Sequence, residues 1–140
     1  MSTITHEGRP ALRVERRLPR PVEAVWRAVS EPARLSTWYP MRVTALDARV
    51  GGRIVFDNGE DTVLNGTVTA WEPPRLLAFD EHGGGEDGPA ADDHLRIELH
   101  DDPAGCLLVL IHVPHDFATA MSAEKGWNAC LDQLVVDLSG

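Results

Sequence analysis

Apolar residues recur along this chain with two periods, and the period changes where the elements change. In "ALRVERRL" Leu12, Val14 and Leu18 share one side with Arg16, which predicts a strand. "RPVEAVWRAVS" switches to helical spacing through Val22, Val25, Trp26 and Val29, with a proline near its start. "EPARLSTWYP" predicts a second short helix that Pro40 ends. Strands separated by turn signals follow: "RVTALDARV" before "GG", "RIVFD" before "NGED", "TVLNGTVTAW" before "EPP", and "RLLAFDE" before a long glycine-rich loop. Beyond that loop "HLRIELH" turns at "DDPAG" into "CLLVLIHV".

The helical period then returns. Ala120, Ala123, Trp127, Cys130, Leu131, Leu134 and Leu138 fall within about 60° of Trp127 on a helical projection. Ser122, Lys125, Asp132 and Gln133 lie on the far side. Gly126 interrupts this helix, where glycine costs about 1 kcal/mol relative to alanine. The expectation is that its bare backbone approaches a neighbouring strand. The order β-α-α-β6-α predicts an α+β domain over residues 11–139, a curved antiparallel sheet gripping the long C-terminal helix. Residues 1–10 receive no element and are expected to form an N-terminal arm.

Length and composition sharpen this picture. The 140 residues suit one domain with room for a core and a cavity. Nothing approaches the roughly 18 consecutive apolar residues of a membrane span. "MSTITHEGRPALRVERR" has no apolar signal core, so a cytoplasmic location is expected. Cys106 and Cys130 make no disulfide framework and read as small apolar residues in a reducing compartment. The net charge of −9 argues against nucleic acid as a partner. It is unevenly spread: residues 1–53 hold ten arginines against five acids, whereas residues 54–140 hold three basic and seventeen acidic side chains. The N-terminal arginines have no aromatic interleaving and read as a solvated face.

"PVEAVWRAVSEPARLSTWYP", the Gly51–Gly52 turn, "GTVTAWEPPRLL" and the closing "GWNACLDQL", in this order and spacing, resemble a group of stand-alone bacterial domains. These are similar to the C-terminal domain of the heat-shock-protein-90 ATPase activator, within the superfamily of START, polyketide-cyclase and birch-pollen-allergen-like domains. The resemblance implies a helix-grip fold with an apolar cavity between sheet and long helix, which the superfamily uses for small apolar molecules and, in some members, for catalysis. Fold alone does not decide between these.

Carried onto this chain, the family's strand phase points Cys106, Leu108, Leu110 and His112 inward, with Leu95, Ile97 and Leu99 beside them. Ile54, Phe56, Val68, Leu77 and Phe79 join that side. Trp38 is expected near the cavity mouth and Trp127 in its roof. The expected ligand-binding set is Trp38, Ile54, Phe56, Val68, Phe79, Ile97, Leu108, Leu110, His112, Trp127 and Leu131. Two positions depart from the family pattern. Glu81 stands where an aromatic residue is common, and the outward row of the last strand is apolar: Leu107, Val109, Ile111 and Val113. Four such side chains in a row would favour aggregation if left bare. Either the N-terminal arm, with Ile4 as its large apolar residue, or a twofold dimer is expected to cover them, and the dimer is the better account.

The chemical candidates are few. His112, inward on a strand, suits a core histidine bonded to backbone or water, or a catalytic base. The spacing of His112 and His115 places their rings on opposite faces unless Pro114 bends the chain, so no metal site is expected with Asp116. "HGGG" at His82–Gly85 lacks a partner G-x-S-x-G elbow and reads as a connection. Glu60–Asp61, Asp92–Asp93 and Asp101–Asp102 read as turn residues, with no inward acid pair. Arg16 suits a structural ion pair better than a carboxylate ligand. The function expected is binding of a small apolar or amphipathic molecule, without cofactor, nucleic acid or membrane. The alternatives are a cyclase-, hydratase- or isomerase-type enzyme using the same cavity with His112 as base, and a chaperone-interaction module.

Overall fold

The computed structural model describes residues 2–6, 8–57, 59, 63–82, 92–115 and 117–139; of residues 2, 3 and 117–124 it describes the backbone alone. The run Gly83–Gly85 with Glu86 and Asp87, the Glu60–Asp61 pair, Asp116, and the side chains of Ala120, Ser122 and Ala123 lie outside the described residues.

Eight antiparallel strands form one sheet, β1 (Ser2–His6), β2 (Arg9–Leu18), β3 (Arg42–Leu46), β4 (Arg53–Asp57), β5 (Val63–Glu72), β6 (Leu76–Glu81), β7 (Asp93–Asp102) and β8 (Gly105–Val113), in the order β1-β2-β8-β7-β6-β5-β4-β3. Three helices, α1 (Val22–Ser30), α2 (Pro32–Trp38) and α3 (Phe117–Ser139), lie on its inner face. This is the helix-grip α+β architecture expected from the hydrophobic pattern. Bulges at Val43/Ala45 and Val68/Ala70 break the ladder register, and such insertions bend a sheet.

The expected arm is a strand. Ser2–His6 pairs with Arg9–Arg13 through a tight turn in which Gly8 adopts φ 81°. Ile4 and the inner half of the arm thus extend the sheet.

The alternating residues of β2, β4 and β6–β8 point where the pattern placed them. Leu18, Ile54, Phe56, Leu77, Phe79, Cys106, Leu108 and Leu110 are fully buried in one core with Leu131 and Leu134 of α3. Helix α3 is tied down at intervals. Arg16 Nη1 donates to Asp132 Oδ1 at 2.7 Å and Nη2 to Asn128 Oδ1 at 3.3 Å, while Arg20 Nε donates to the Leu138 carbonyl at 2.7 Å. Arg16 is therefore a structural ion pair.

Two expectations are corrected here. A Cβ built on Gly126 meets nothing within 4 Å, so no strand approaches it and close packing is not why it is glycine. The residue that does need to be glycine is Gly66, where a Cβ would lie 2.3 Å from the Asp80 carbonyl oxygen and 2.8 Å from Ile54 Cγ2. The second correction is the outward row of β8. Val109, Ile111 and Val113 are 1%, 8% and 1% exposed within a single chain, and form a small second core with Ala11, Ile4 and Leu107. Within one chain the strip is covered, with Ile4 of the arm, one of the two expected covers, packed against it.

Among the described residues, no helix is long and apolar enough to cross a membrane.

Candidate functional site

A cluster of aromatic rings lies within the core between sheet and helices. Tyr39 stacks on Phe56 with centroids 5.7 Å apart and tilts against Phe79 at 6.1 Å and Trp127 at 5.7 Å. Beside this cluster remains a cavity of about 270 Å³, lined by Tyr39, Pro40, Met41, Glu81, His112, Gly126 and Trp127. Of the expected ligand-binding set, only His112 and Trp127 line it. Ile54, Phe56, Val68, Phe79, Ile97, Leu108, Leu110 and Leu131 are core residues, each no more than 1% exposed. Trp38 is not at the mouth: it is buried, and its indole N–H donates to the Ala28 carbonyl at 2.9 Å, bracing α2 on α1.

Tyr39 takes the place expected of Trp38. The residue before a proline is pushed out of helical conformation. Tyr39 accordingly leaves α2 with φ −69° and ψ 151°, and its ring joins the interior cluster. Its hydroxyl donates to Glu81 Oε1. Glu81 follows Leu77 and Phe79 by strand alternation and so faces inward. Asp93 does the same from the other side, two residues before Leu95. The carboxylates of Glu81 and Asp93 occupy directly paired positions on β6 and β7. Asp93 is thus the first residue of a strand and one of an inward acid pair, contrary to its reading as a turn residue.

The bend at Pro114 brings both histidines of "HVPHD" to Asp93. His112 Nε2 lies 2.8 Å from Asp93 Oδ2, His115 Nδ1 lies 2.6 Å from Oδ1, and the His115 backbone N–H donates to Oδ1 at 2.8 Å. The opposite-face geometry expected from spacing is overridden by that bend. On the other side of His112, Trp127 Nε1 donates to Nδ1 at 3.0 Å. An indole nitrogen can only donate. His112 Nδ1 must therefore be the acceptor, and the ring proton sits on Nε2, donated to Asp93. Both ring nitrogens are engaged by protein, so His112 has no free nitrogen with which to act as a base in this arrangement. Among the described residues, no group of three His, Cys, Asp or Glu side chains is arranged to hold a metal ion.

The two carboxylates are driven in opposite directions. Burial raises the Glu81 carboxyl above its ordinary value; the Tyr39 hydrogen bond opposes the rise, the Asp93 charge adds to it and the His112 charge opposes it. Burial, then the charge of Glu81, push the Tyr39 phenol well above its usual range. Burial by itself would raise Asp93 too, but the hydrogen bonds from His112 and His115 outweigh it and hold the carboxyl at about 2. The site thus contains an ionised, fully engaged aspartate behind a glutamate whose charge is disfavoured. Sequence alternation from Leu77–Phe79 and Leu95–Ile97 carried the signal for both.

With this geometry in place, comparison with known proteins places the chain. The description "activator of Hsp90 ATPase homolog 1-like protein" matches residues 19–138. The chain belongs to that family. No curated protein matches it. Among solved structures, the AHSA1 protein from Silicibacter pomeroyi is similar at 29% identity, with 92% of this chain and 97% of that chain covered and a TM-score of 0.69. CalU16 from Micromonospora echinospora is 26% identical over 94% of this chain and 77% of its own, with a TM-score of 0.75. A protein from Mesorhizobium loti shares the fold at a TM-score of 0.77 and 24% identity, with 93% and 98% covered.

Other hollows in the AHSA1-like domain are larger. One of about 470 Å³ lies between α1, α2 and the end of α3, and one of about 330 Å³ on the outer face of the sheet beside His6 and His94. Neither sets a shifted, buried carboxyl beside aromatic walls, and the inner cavity does both.

Proposed function

We propose that this AHSA1-like domain binds a small apolar or amphipathic molecule between α2, β6, β8 and α3. The observation that carries this reading is the inner cavity, where Tyr39, Met41 and Trp127 offer apolar surface and Glu81 a polar group. Ligand pockets of this kind combine mostly apolar walls with a few placed polar groups. At about 270 Å³ the cavity lies just below the range of roughly 300–1,000 Å³ usual for ligand pockets, which favours a small ligand such as a single ring or short chain.

A second reading is a proton-transfer enzyme of cyclase, hydratase or isomerase type. The raised carboxyl of Glu81 favours it, since catalytic acids are tuned upward by burial. The acid-base group would then be Glu81, with Tyr39 as its hydrogen-bonded partner, and not His112. The chaperone activity in the family description belongs to the proteins so described; the reading here rests on the cavity.

Native mass spectrometry of the protein purified from its own cells tests the reading. A co-purified small molecule, lost when Gly126→Phe closes the mouth, is the expected result. An unliganded wild-type protein, together with no tryptophan emission change on titration with small aromatic probes, would overturn it.

A further inference from the structure

Glu81 and Asp93 sit opposite each other on the inner side of the β6–β7 ladder. Like charges in that position repel, so the charge around them decides what the cavity accepts. Asp93 has both oxygens engaged, one by His112 and one by His115. Glu81 has Oε1 taken by the Tyr39 hydroxyl, and among the described residues nothing donates to Oε2. His112 turns both ring nitrogens to protein partners, Nδ1 to the Trp127 indole and Nε2 to Asp93, and so offers the cavity no donor. Among the described residues, no lysine or arginine lines the cavity. The open hydrogen-bonding capacity on the described wall is therefore that of an acceptor, Glu81 Oε2, with both histidines turned to Asp93.

The walls agree with this. The rings of Tyr39 and Trp127 lie 5.7 Å apart at 60°, and aromatic faces attract cations, most strongly where water is excluded. Residues 54–140 carry seventeen acids against three basic side chains, a balance that draws cations toward the protein and repels anions.

Resting on the small-ligand reading above, we propose that the cavity selects an organic cation, an amine on a small aromatic or aliphatic body. Its N–H groups donate to Glu81 Oε2, and its body lies against Tyr39 and Trp127. A bound ammonium would favour the ionised form of Glu81, which burial disfavours. A carboxylate or phosphate ligand meets the opposite situation: it brings a negative charge beside the ionised Asp93 and finds no lysine or arginine among the described wall residues.

Three isosteric probes test the proposal: benzylamine, benzyl alcohol and benzoate, each titrated into the wild-type protein and followed by the amide resonances of Met41 and Gly126. Benzylamine is expected to bind at least about tenfold more tightly than benzyl alcohol, with benzoate weakest. In Glu81→Gln, which keeps the side-chain shape and an acceptor for Tyr39, that preference should vanish while benzyl alcohol affinity stays the same. Wild-type protein that binds benzyl alcohol or benzoate as tightly as benzylamine overturns the cation proposal and leaves the small-ligand reading standing. If none of the three shifts either resonance at millimolar concentration, the small-ligand reading fails and the cation proposal falls with it. The wild-type arm decides the matter even if Glu81→Gln does not fold.

Discussion

Strand β8 sends Leu108, Leu110 and His112 toward α3 and sends Val109, Ile111 and Val113 to the opposite face, and both rows are buried. They are buried by different means. The inner row lies under a helix, whose Trp127, Leu131 and Leu134 meet it. Among the described residues no helix lies above the outer row. Its cross-strand neighbours are Arg13 and Arg96 beside Ile111, and Glu15 and Glu98 beside Val109. Each arginine pairs with the glutamate two residues along its own strand, Arg13 with Glu15 and Arg96 with Glu98. Two ion pairs therefore run along the strip, one on each side. Long charged side chains lay their hydrocarbon stems over apolar surface while keeping their heads in water. Ile4 of the added edge strand completes the cover. The hollows beside the two covers differ in their walls: the inner one has the rings of Tyr39 and Trp127, and the outer one, beside Val113, has mainly polar groups such as His6, Arg9, Asp80, His94 and Arg96.

The largest expected effect would break the inner cover. Trp127→Ala removes a buried ring and leaves His112 Nδ1 without its donor, and should cost roughly 3–5 kcal/mol in denaturant titration. A loss below about 1 kcal/mol would mean that α3 does not grip the sheet through this residue.

Next comes the outer cover. Val109→Thr with Ile111→Lys should cost about 2–4 kcal/mol, because both sites are buried within one chain. The sedimentation coefficient of the folded variant should match that of the wild type. A wild-type dimer that the double variant splits into a stable monomer would restore pairing between copies as the cover.

The inner acid pair yields a prediction with two signs. Asp93, held at about 2 against an ordinary 3.8, contributes stability that is complete above pH 3.8 and is lost as pH falls toward 2. The amount is about 2 kcal/mol. Glu81 runs the other way: its raised carboxyl favours the fold most below its ordinary value of 4.5, and that contribution is lost as pH rises through the folded-state value. Asp93→Asn should therefore flatten the acid limb of the stability profile. Glu81→Gln should flatten the rise-related loss and stabilise the protein near neutral pH. The same slope in both variants would show that the two carboxyls do not titrate as neighbours in opposite surroundings.

The smallest effect is at Gly126. Its Cβ position is open, so Gly126→Ala should stabilise α3 by up to about 1 kcal/mol through helix propensity alone. A destabilised variant would mean that the backbone at the cavity mouth is closer to a neighbour than the open space beside Gly126 indicates.

Much of this was readable from residue order. The two periods located ten of the eleven elements, because burial of one face imposes a spacing on the sequence, and the family resemblance supplied the inward phase of β4, β6, β7 and β8. The missed element, Ser2–His6, has a single large apolar residue, too few to show a period, although the glycine after it was a hairpin signal. At the site, Glu81 and Asp93 followed from alternation, but acids at strand ends look like turn residues, and Asp93 was read as one. Tyr39 had a signal in the proline after it, whereas Trp38, the larger ring, drew the expectation instead.

What the sequence determined by itself is therefore the order of elements, the buried face of α3 and the alternation of β8 that ends in His112, since each is a local periodicity; which row of β8 faces α3 came from the family resemblance. What only the tertiary structure decided is which groups share a partner. Whether His112 has a free nitrogen depends on Trp127 and Asp93, fifteen residues ahead in the chain and nineteen behind. Whether Val109 is bare depends on ion pairs on two other strands. Periodicity reports which side a residue faces; it carries no record of which side chain from a distant strand arrives on that side, and the charge and proton positions in the cavity are set by those arrivals.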